Sequence, residues 1–324
     1  MEAVLSLRLR AGLISLLIGI LMLGLKMGAC LITGSATVLS DALESVVHVV
    51  AVGFMFWSLR FAAAPPDHEH PYGHGKAEFL SIGFEGGTIA LAGLAIIWEA
   101  VLGLVHGHQP GAVDFGFLLI VVAALINLAL GAWLVSVGRR TGSAILVADG
   151  QHLLSDVWTS IGVVVGVVAL WLLPAGPARV WTDGLVAIAL ALYIMTVGAR
   201  LLRQAVGGLL DEVDPDALVR VVAAINEIRD PAWRDVHNLR LRSSGDATFV
   251  DFHLVVPSQW SVANAHASAE ALERHILARL GARGSVMIHL DHPHADPTVG
   301  LDPQPAQEER TAFTVEQARR FKAG

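Results

Sequence analysis

The stretch ADGQHLLSD, Ala148 to Asp156, sets Asp149, His152 and Asp156 at steps of three and four, which places them on one face of a helix. It runs on as VWTSIGVVVGVVALWLLP, as apolar as a bilayer interior. An earlier apolar run repeats the spacing with Asp41, Glu44 and His48. An ionised side chain at the centre of a membrane helix costs roughly 2.5 to 3.5 kcal/mol on insertion scales, so such residues are functional candidates by default. Two facing stripes would bring together Glu44, His48, His152 and Asp156, two imidazoles and two carboxylates, a set suited to tetrahedral Zn²⁺. A bound metal would offset the cost of burying them. The bland alternative makes these satisfied structural polar groups or residues at the wet ends of their helices; matched stripes on two helices weigh against it. Asp41 and Asp149 sit one turn nearer their helix starts. There a carboxylate also answers the helix dipole, or steadies the ligands, or lines the path to them.

The rest of the chain must position these residues. It has 324 residues, 54% of them hydrophobic and 16% charged, with a mean hydropathy of +0.59. That is too apolar for an ordinary soluble enzyme and reads as a polytopic membrane protein. Crossing a bilayer takes about 20 helical residues, and six runs qualify: 11–32, 37–61, 79–104, 115–137, 144–173 and 180–202. KMGAC faintly resembles a lipoprotein cleavage site, but Lys26 interrupts the run before Cys30 and five further spans follow. Arg8, Arg10, Arg60, Lys76, Arg139, Arg140, Arg200 and Arg203 fall on one side, against Arg179 on the other, so both termini are expected in the cytoplasm. A net charge of −7 without any basic run argues against a nucleic-acid binder. The lone Cys30 excludes an intrachain disulfide and any multi-thiolate metal site within one chain, leaving His, Asp and Glu.

Beyond residue 210 the pattern turns to short amphipathic segments: helix 216–228, strand 236–242, strand 248–256, helix 262–280 and strand 285–291, with SGD as a hairpin turn. The last 30 residues are polar and proline-bearing, and are expected to be a mobile tail with at most one short helix. Two other places crowd ligand types. DHEHPYGHGKAE puts Asp67, His68, Glu69, His70 and His74 in one loop, read either as a labile metal site or as a solvated polar loop. His237, His253, His266, His289 and Asp291 are spread through the segments after 210, where any single histidine is more often structural. Glu85, Glu99, Asn127, His106 and His108 have no matching stripe and read as packing, helix-end or solvated groups; His275, His292 and His294 are equally without a role.

TGSATVLSDALES between the first two spans, the loop PPDHEHPYGHGKAE and HLLSD in the fifth span together resemble the cation diffusion facilitator family of divalent-metal/proton antiporters, over about residues 5 to 292. The resemblance implies a polytopic α-helical membrane protein with six transmembrane helices (1–210), a C-terminal α+β ferredoxin-like, metallochaperone-like cytoplasmic domain of order αββαβ (211–292) and a flexible tail (293–324). It implies a transport site at Glu44, His48, His152 and Asp156, although family members commonly carry Asp at both second-helix positions. It implies a loop site at Asp67, His70 and His74, and a charge interlock between Lys76 and Asp211. In the cytoplasmic domain it implies one ion held by His237, His266 and Asp291 and another by His253, His289 and Asp291, at the interface of a homodimer.

The expected function is therefore export of a divalent transition metal, Zn²⁺ first, from the cytoplasm in exchange for protons, from an inner membrane and by alternating access. Fe²⁺, Mn²⁺, Co²⁺ and Cd²⁺ stay open as substrates, because nitrogen and oxygen ligands select only broadly among them. An enzyme is not expected: no HExxH or equivalent sets a general base beside the ligands, and four protein ligands leave no place for a reactive water. A membrane-anchored metal sensor is the other rival. The full stripes on two spans argue against it.

Overall fold

The computed structural model describes residues 2–33, 36–106, 115–172, 177–281, 283–292 and 312–319, with a number of side chains inside the helices excepted. The chain divides into two units, 1–209 and 210–324.

Among the described residues, the first unit holds six long helices, α1 (Glu2–Thr33), α2 (Ala36–Ala62), α3 (Ala77–His106), α4 (Phe115–Thr141), α5 (Ala144–Leu172) and α6 (Pro177–Leu209). Of these, α1, α2, α3, α4 and α6 carry described windows long and apolar enough to cross a membrane. Large apolar side chains point outward on every helix, among them Leu21, Trp57, Trp98, Leu125, Trp158 and Trp181, more than a water-facing surface carries.

Helix α3 packs along α6, α4 along α5 and α1 along α2. Glycines set two of these crossings. A Cβ on Gly86 would lie 2.9 Å from the Gly198 carbonyl oxygen, and one on Gly150 would lie 2.8 Å from that of Gly131. Such close backbone approach is how membrane helices pack where no hydrophobic effect drives them together. Gly150 sits between Asp149 and His152, so the α4–α5 crossing also fixes the height and rotation of the stripe of Asp149, His152 and Asp156. Two polar contacts hold the ends. Glu78 of α3 accepts from Ser143 Oγ (3.4 Å) and the Ile145 N–H (3.5 Å) at the start of α5, a carboxylate answering open helix donors. Arg8 of α1 donates to the Thr141 carbonyl at the end of α4.

The second unit runs α7 (Pro215–Glu227), β1 (Asp235–Ser244), β2 (Ala247–Val255), α8 (Val262–Leu280), β3 (Arg283–Asp291) and α9 (Val315–Arg319), so the expected αββαβ order is present. Caps explain both main helices. Asp214 caps α7 ahead of Pro215, and Ser261 caps α8, which stops at Gly281 in the left-handed region. The sheet order is β1-β2-β3, with β1–β2 antiparallel through the Gly245–Asp246 turn and β2–β3 parallel. Val221, Ile225, Leu241, Val250, Phe252, Leu254, Leu272 and Ile276 form its core.

The described part of the expected mobile tail is docked instead. Asn226 pairs with both backbone groups of Phe313, donating to its carbonyl (2.7 Å) and accepting its N–H (2.9 Å), while Phe313 and Ala318 are buried. Thr314 and Gln317 form a reciprocal capping box that starts α9. Residues 293–311 and 320–324 lie outside the described residues.

Candidate metal centres

In the first unit α5 carries the donors. His152 is largely buried, and its Nε2 lies 3.7 Å from Asp156 Oδ1 one turn along the helix. Its ring meets that of His48 edge to face, centroids 5.4 Å apart, so α2 and α5 bring these two imidazoles together. Gly19 of α1 lies beside the pair, where a Cβ would make ordinary contact with the His48 ring at 3.7 Å. Asp41 and Glu44 belong to α2, but their side chains lie outside the described residues. Asp149 is 1% exposed and accepts a hydrogen bond from Ser15 Oγ of α1 at 2.8 Å, which makes it a strut between helices beside the stripe.

Sequence reasoning passed over Glu85. It is 5% exposed on α3, with Oε1 2.8 Å from His152 Nδ1. A signal was present, for Glu78 and Glu85 stand seven residues apart on one apolar helix and therefore share a face. They meet α5 at Ile145 and His152, also seven apart.

The loop after α2 brings Asp67, His70 and His74 together, one ligand atom of each within 4.8 Å of the others. Its conformation is local. Asp67 Oδ1 accepts the N–H groups of Glu69 (3.0 Å) and His70 (2.6 Å), and the His70–Gly73 turn carries Pro71 at its second position. Oδ2 of Asp67 lies 3.3 Å from His74 Nε2, and the two imidazoles are 4.3 Å apart. The His70 backbone N–H beside Asp67 holds its carboxyl below the ordinary carboxylate range. His74 packs edge to face on Phe61 of α2, 4.6 Å between centroids, and its buried Nδ1 has no hydrogen-bond partner. The three side chains offer one carboxylate and two imidazoles within reach of a single cation. Nearby, Lys76 Nζ donates to the Leu209 carbonyl at the end of α6 (3.2 Å), a cation at a helix C-terminus.

In the second unit the sheet register does the assembling. His237, His253 and His289 pair directly across β1, β2 and β3, one imidazole per strand in a single row. Asp291 closes it, Oδ2 lying 2.8 Å from His253 Nδ1 and 3.8 Å from His237 Nε2, and Oδ1 lying 3.0 Å from His289 Nε2. A bulge between His237 and Arg240, with Asn238 at φ 52, shifts the register before the pairing resumes. Asp235 Oδ2 sits 3.0 Å from His237 Nδ1. The chain thus groups His237 with His253 on one carboxylate oxygen and His289 on the other. His266 stands exposed on α8, outside the cluster that His237, His253 and Asp291 form among the described residues. Leu272 and Ile276 hold α8 against the face of the sheet that Val250, Phe252 and Leu254 line, away from the histidine row. Of the residues left without a role, His275 pairs with Glu227 at 2.8 Å and His106 Nδ1 donates to the Leu102 carbonyl at 2.8 Å; Glu99 is exposed.

The sequence matches the cation efflux transmembrane domain over residues 12–210 and the cation efflux protein cytoplasmic domain over 213–293. It is 38% identical over 276 residues to an uncharacterized transporter of Synechocystis sp., covering 85% of this chain and 87% of that one. It is 31% identical over 286 residues to the cation-efflux pump FieF of Cronobacter sakazakii, covering 87% and 92%. A metal-bound C-terminal domain of the CzcD transporter from Thermotoga maritima aligns with 24% of this chain and 87% of its own at 23% identity and a TM-score of 0.22, too slight a likeness to carry weight. Apolar helices bearing buried imidazole–carboxylate contacts, followed by an αββαβ domain with its own histidine row, thus accompany matches that together run from residue 12 to 293, and the chain belongs to the cation diffusion facilitator family of integral membrane cation efflux proteins.

Proposed function

We propose that the protein exports a divalent transition metal, zinc first among them, from the cytoplasm across an inner membrane in exchange for protons, by alternating access. One observation carries this reading: inside the membrane unit, His152 lies against the ring of His48 and one turn from Asp156. With Glu44 these supply the nitrogen and oxygen donors that Zn²⁺ accepts. Zn²⁺ binds neutral imidazole and ionised carboxylate, so binding releases protons and protonation releases metal. That competition couples the two fluxes. Fe²⁺, Mn²⁺, Co²⁺ and Cd²⁺ compete for the same donors. Asp41 and Asp149 flank the site, and the FieF relatives named as cation-efflux pumps support the outward direction.

The loop site at Asp67, His70 and His74 serves as a weaker, auxiliary site on the cytoplasmic side. The row of His237, His253, His289 and Asp291, with His266, binds zinc between the cytoplasmic domains of a homodimer. Closure there passes to the helices through Lys76 and Asp211. Both termini are cytoplasmic, and lipid surrounds the first unit.

The test is metal-resolved flux in proteoliposomes under an imposed pH gradient, with internal pH followed by a dye. His152→Ala or Asp156→Ala is expected to abolish both zinc flux and the accompanying proton movement in a folded, inserted protein. Near-parental zinc flux in Asp156→Ala would overturn the site. Replacing Asp67, His70 and His74 together is expected to slow flux only a few-fold, about 1 kcal/mol or less in the barrier; complete loss in a folded protein would reverse the ranking of the two sites.

A further inference from the structure

We infer that Glu85 is a positioning residue of the intramembrane centre: from α3 it grips Nδ1 of His152 and so presents Nε2 to the metal. The inference rests on the transport reading above and adds a third helix to a site otherwise drawn from α2 and α5.

The geometry separates Glu85 from the ligands. Its Oε1 is 2.8 Å from His152 Nδ1, while Asp156 lies on the Nε2 side of the same ring. The two nitrogen lone pairs of an imidazole diverge, so a metal on Nε2 cannot also be held by a group bonded at Nδ1. An acceptor at Nδ1 keeps the proton there, leaves Nε2 with a free lone pair and locks the ring plane. With His152 Nδ1–H donating to the carboxylate, one tautomer is selected before any metal arrives.

A purely structural account fits Glu78 but not Glu85. Glu78, seven residues earlier, accepts from Ser143 Oγ and the Ile145 N–H, donors that every helix start leaves open. Glu85 faces α5 where its backbone donors are already used by the helix, and what it meets is the side chain of a proposed ligand. A carboxylate at 5% exposure among apolar helices is costly without such a partner.

Initial zinc flux in proteoliposomes, measured against zinc concentration for the full chain, tests this. Glu85→Ala is expected to raise KM about 10- to 100-fold, the usual cost of losing a partner behind a metal-bound histidine, with a smaller change in kcat. Glu85→Gln keeps an oxygen that accepts the same Nδ1–H bond, and its KM is expected to stay within about threefold of the parent. The ¹⁵N shifts of the His152 ring, identified by difference against His152→Ala, are expected to report one Nδ1–H tautomer in the parent and a mixture in Glu85→Ala; loss of packing alone would not produce that change. Glu85→Asp keeps the charge but draws it back by one methylene, and it serves as the second variant should Glu85→Ala not insert: a raised KM supports the role. Parental KM in Glu85→Ala or Glu85→Asp, or a Glu85→Gln as impaired as Glu85→Ala, overturns the role while a dead His152→Ala leaves the transport site standing. Normal flux in His152→Ala would remove the site itself, and this inference with it.

Discussion

The two units both bring histidines against carboxylates, yet they do so by different physical means. In the second unit, His237, His253 and His289 meet because antiparallel and parallel ladders put them opposite one another, and Asp291 follows two residues later on the same strand face. Once the strands pair, the cluster follows. In the first unit the helices share no ladder, and the imidazoles of His48 on α2 and His152 on α5 meet through helix packing, in which α4 and α5 approach to backbone contact. A sheet stores its site in register, and a helical bundle stores it in crossings. The consequence is a difference in fragility: one misplaced methyl can spoil the second kind of site, while the first kind yields mainly to loss of a ligand.

The largest effect is therefore expected from a residue that is not a ligand. Gly150→Val should shift α5 against Gly131 and Val135, whose atoms would lie 2.7 to 2.8 Å from the new Cβ, at a cost at or above the roughly 1 to 3 kcal/mol of ordinary overpacking. Loss of zinc flux with a lowered melting temperature is the expected outcome. Gly87→Ala on α3, with nothing within 4 Å of its Cβ, should change neither. Equal behaviour of the two variants would remove the crossing argument.

Next in size comes the middle of the histidine row. His253→Ala, the ring that stands between His237 and His289 at 5.1 and 4.6 Å, should weaken zinc binding by the cytoplasmic unit about tenfold or more, roughly 1.4 kcal/mol or above. Intramembrane flux should survive. In the proposed dimer, a label-to-label distance between cytoplasmic domains should shorten on adding micromolar zinc, and less so in the His253→Ala, Asp291→Ala variant, since an ion favours the closed state only by its differential affinity. His266→Ala sharpens the comparison. A loss as large as that of His253→Ala would mean that the ligand set is completed by a second chain, because one chain does not bring His266 to the row.

The smallest effect concerns Glu227, which receives both His275 (2.8 Å) and Arg279 in the second unit. The His275 hydrogen bond, followed by that of Arg279, holds its carboxyl below the ordinary glutamate value of 4.5. A depressed carboxylate stabilises fully above the unfolded value and loses that contribution as pH falls through the lower folded one. Acid titration of the unfolding midpoint should thus show a small loss below about pH 4.5, absent in Glu227→Gln. The pair is solvent-exposed, which keeps the effect small. An unchanged acid limb in the variant would assign the loss to other groups.

What the sequence determined by itself is what depends on neighbours along the chain. Helix and strand extents came from periods of 3.6 and 2, and the αββαβ order came from them together with Asp214, Ser261 and Gly281 at the ends of α7 and α8. The loop cluster at Asp67, His70 and His74 was legible because an Asx turn and a proline turn build it within eight residues. That His48 and His152 need partners was legible as chemistry, since ionisable groups in an apolar run require them. Tertiary structure alone decided which partners. Glu85 joins His152 because α3 and α5 run alongside one another with matching seven-residue steps, and Ser15 reaches Asp149 from a helix 134 residues away in sequence. Within one chain His266 stands apart from the histidine row, because Leu272 and Ile276 hold α8 against the face that Val250, Phe252 and Leu254 line. Phe313 leaves solvent because Asn226 offers both halves of a backbone pair beside a groove of apolar side chains. Each of these turns on the relative placement of two elements, and a periodicity within one element carries no information about the rotation or height of the next.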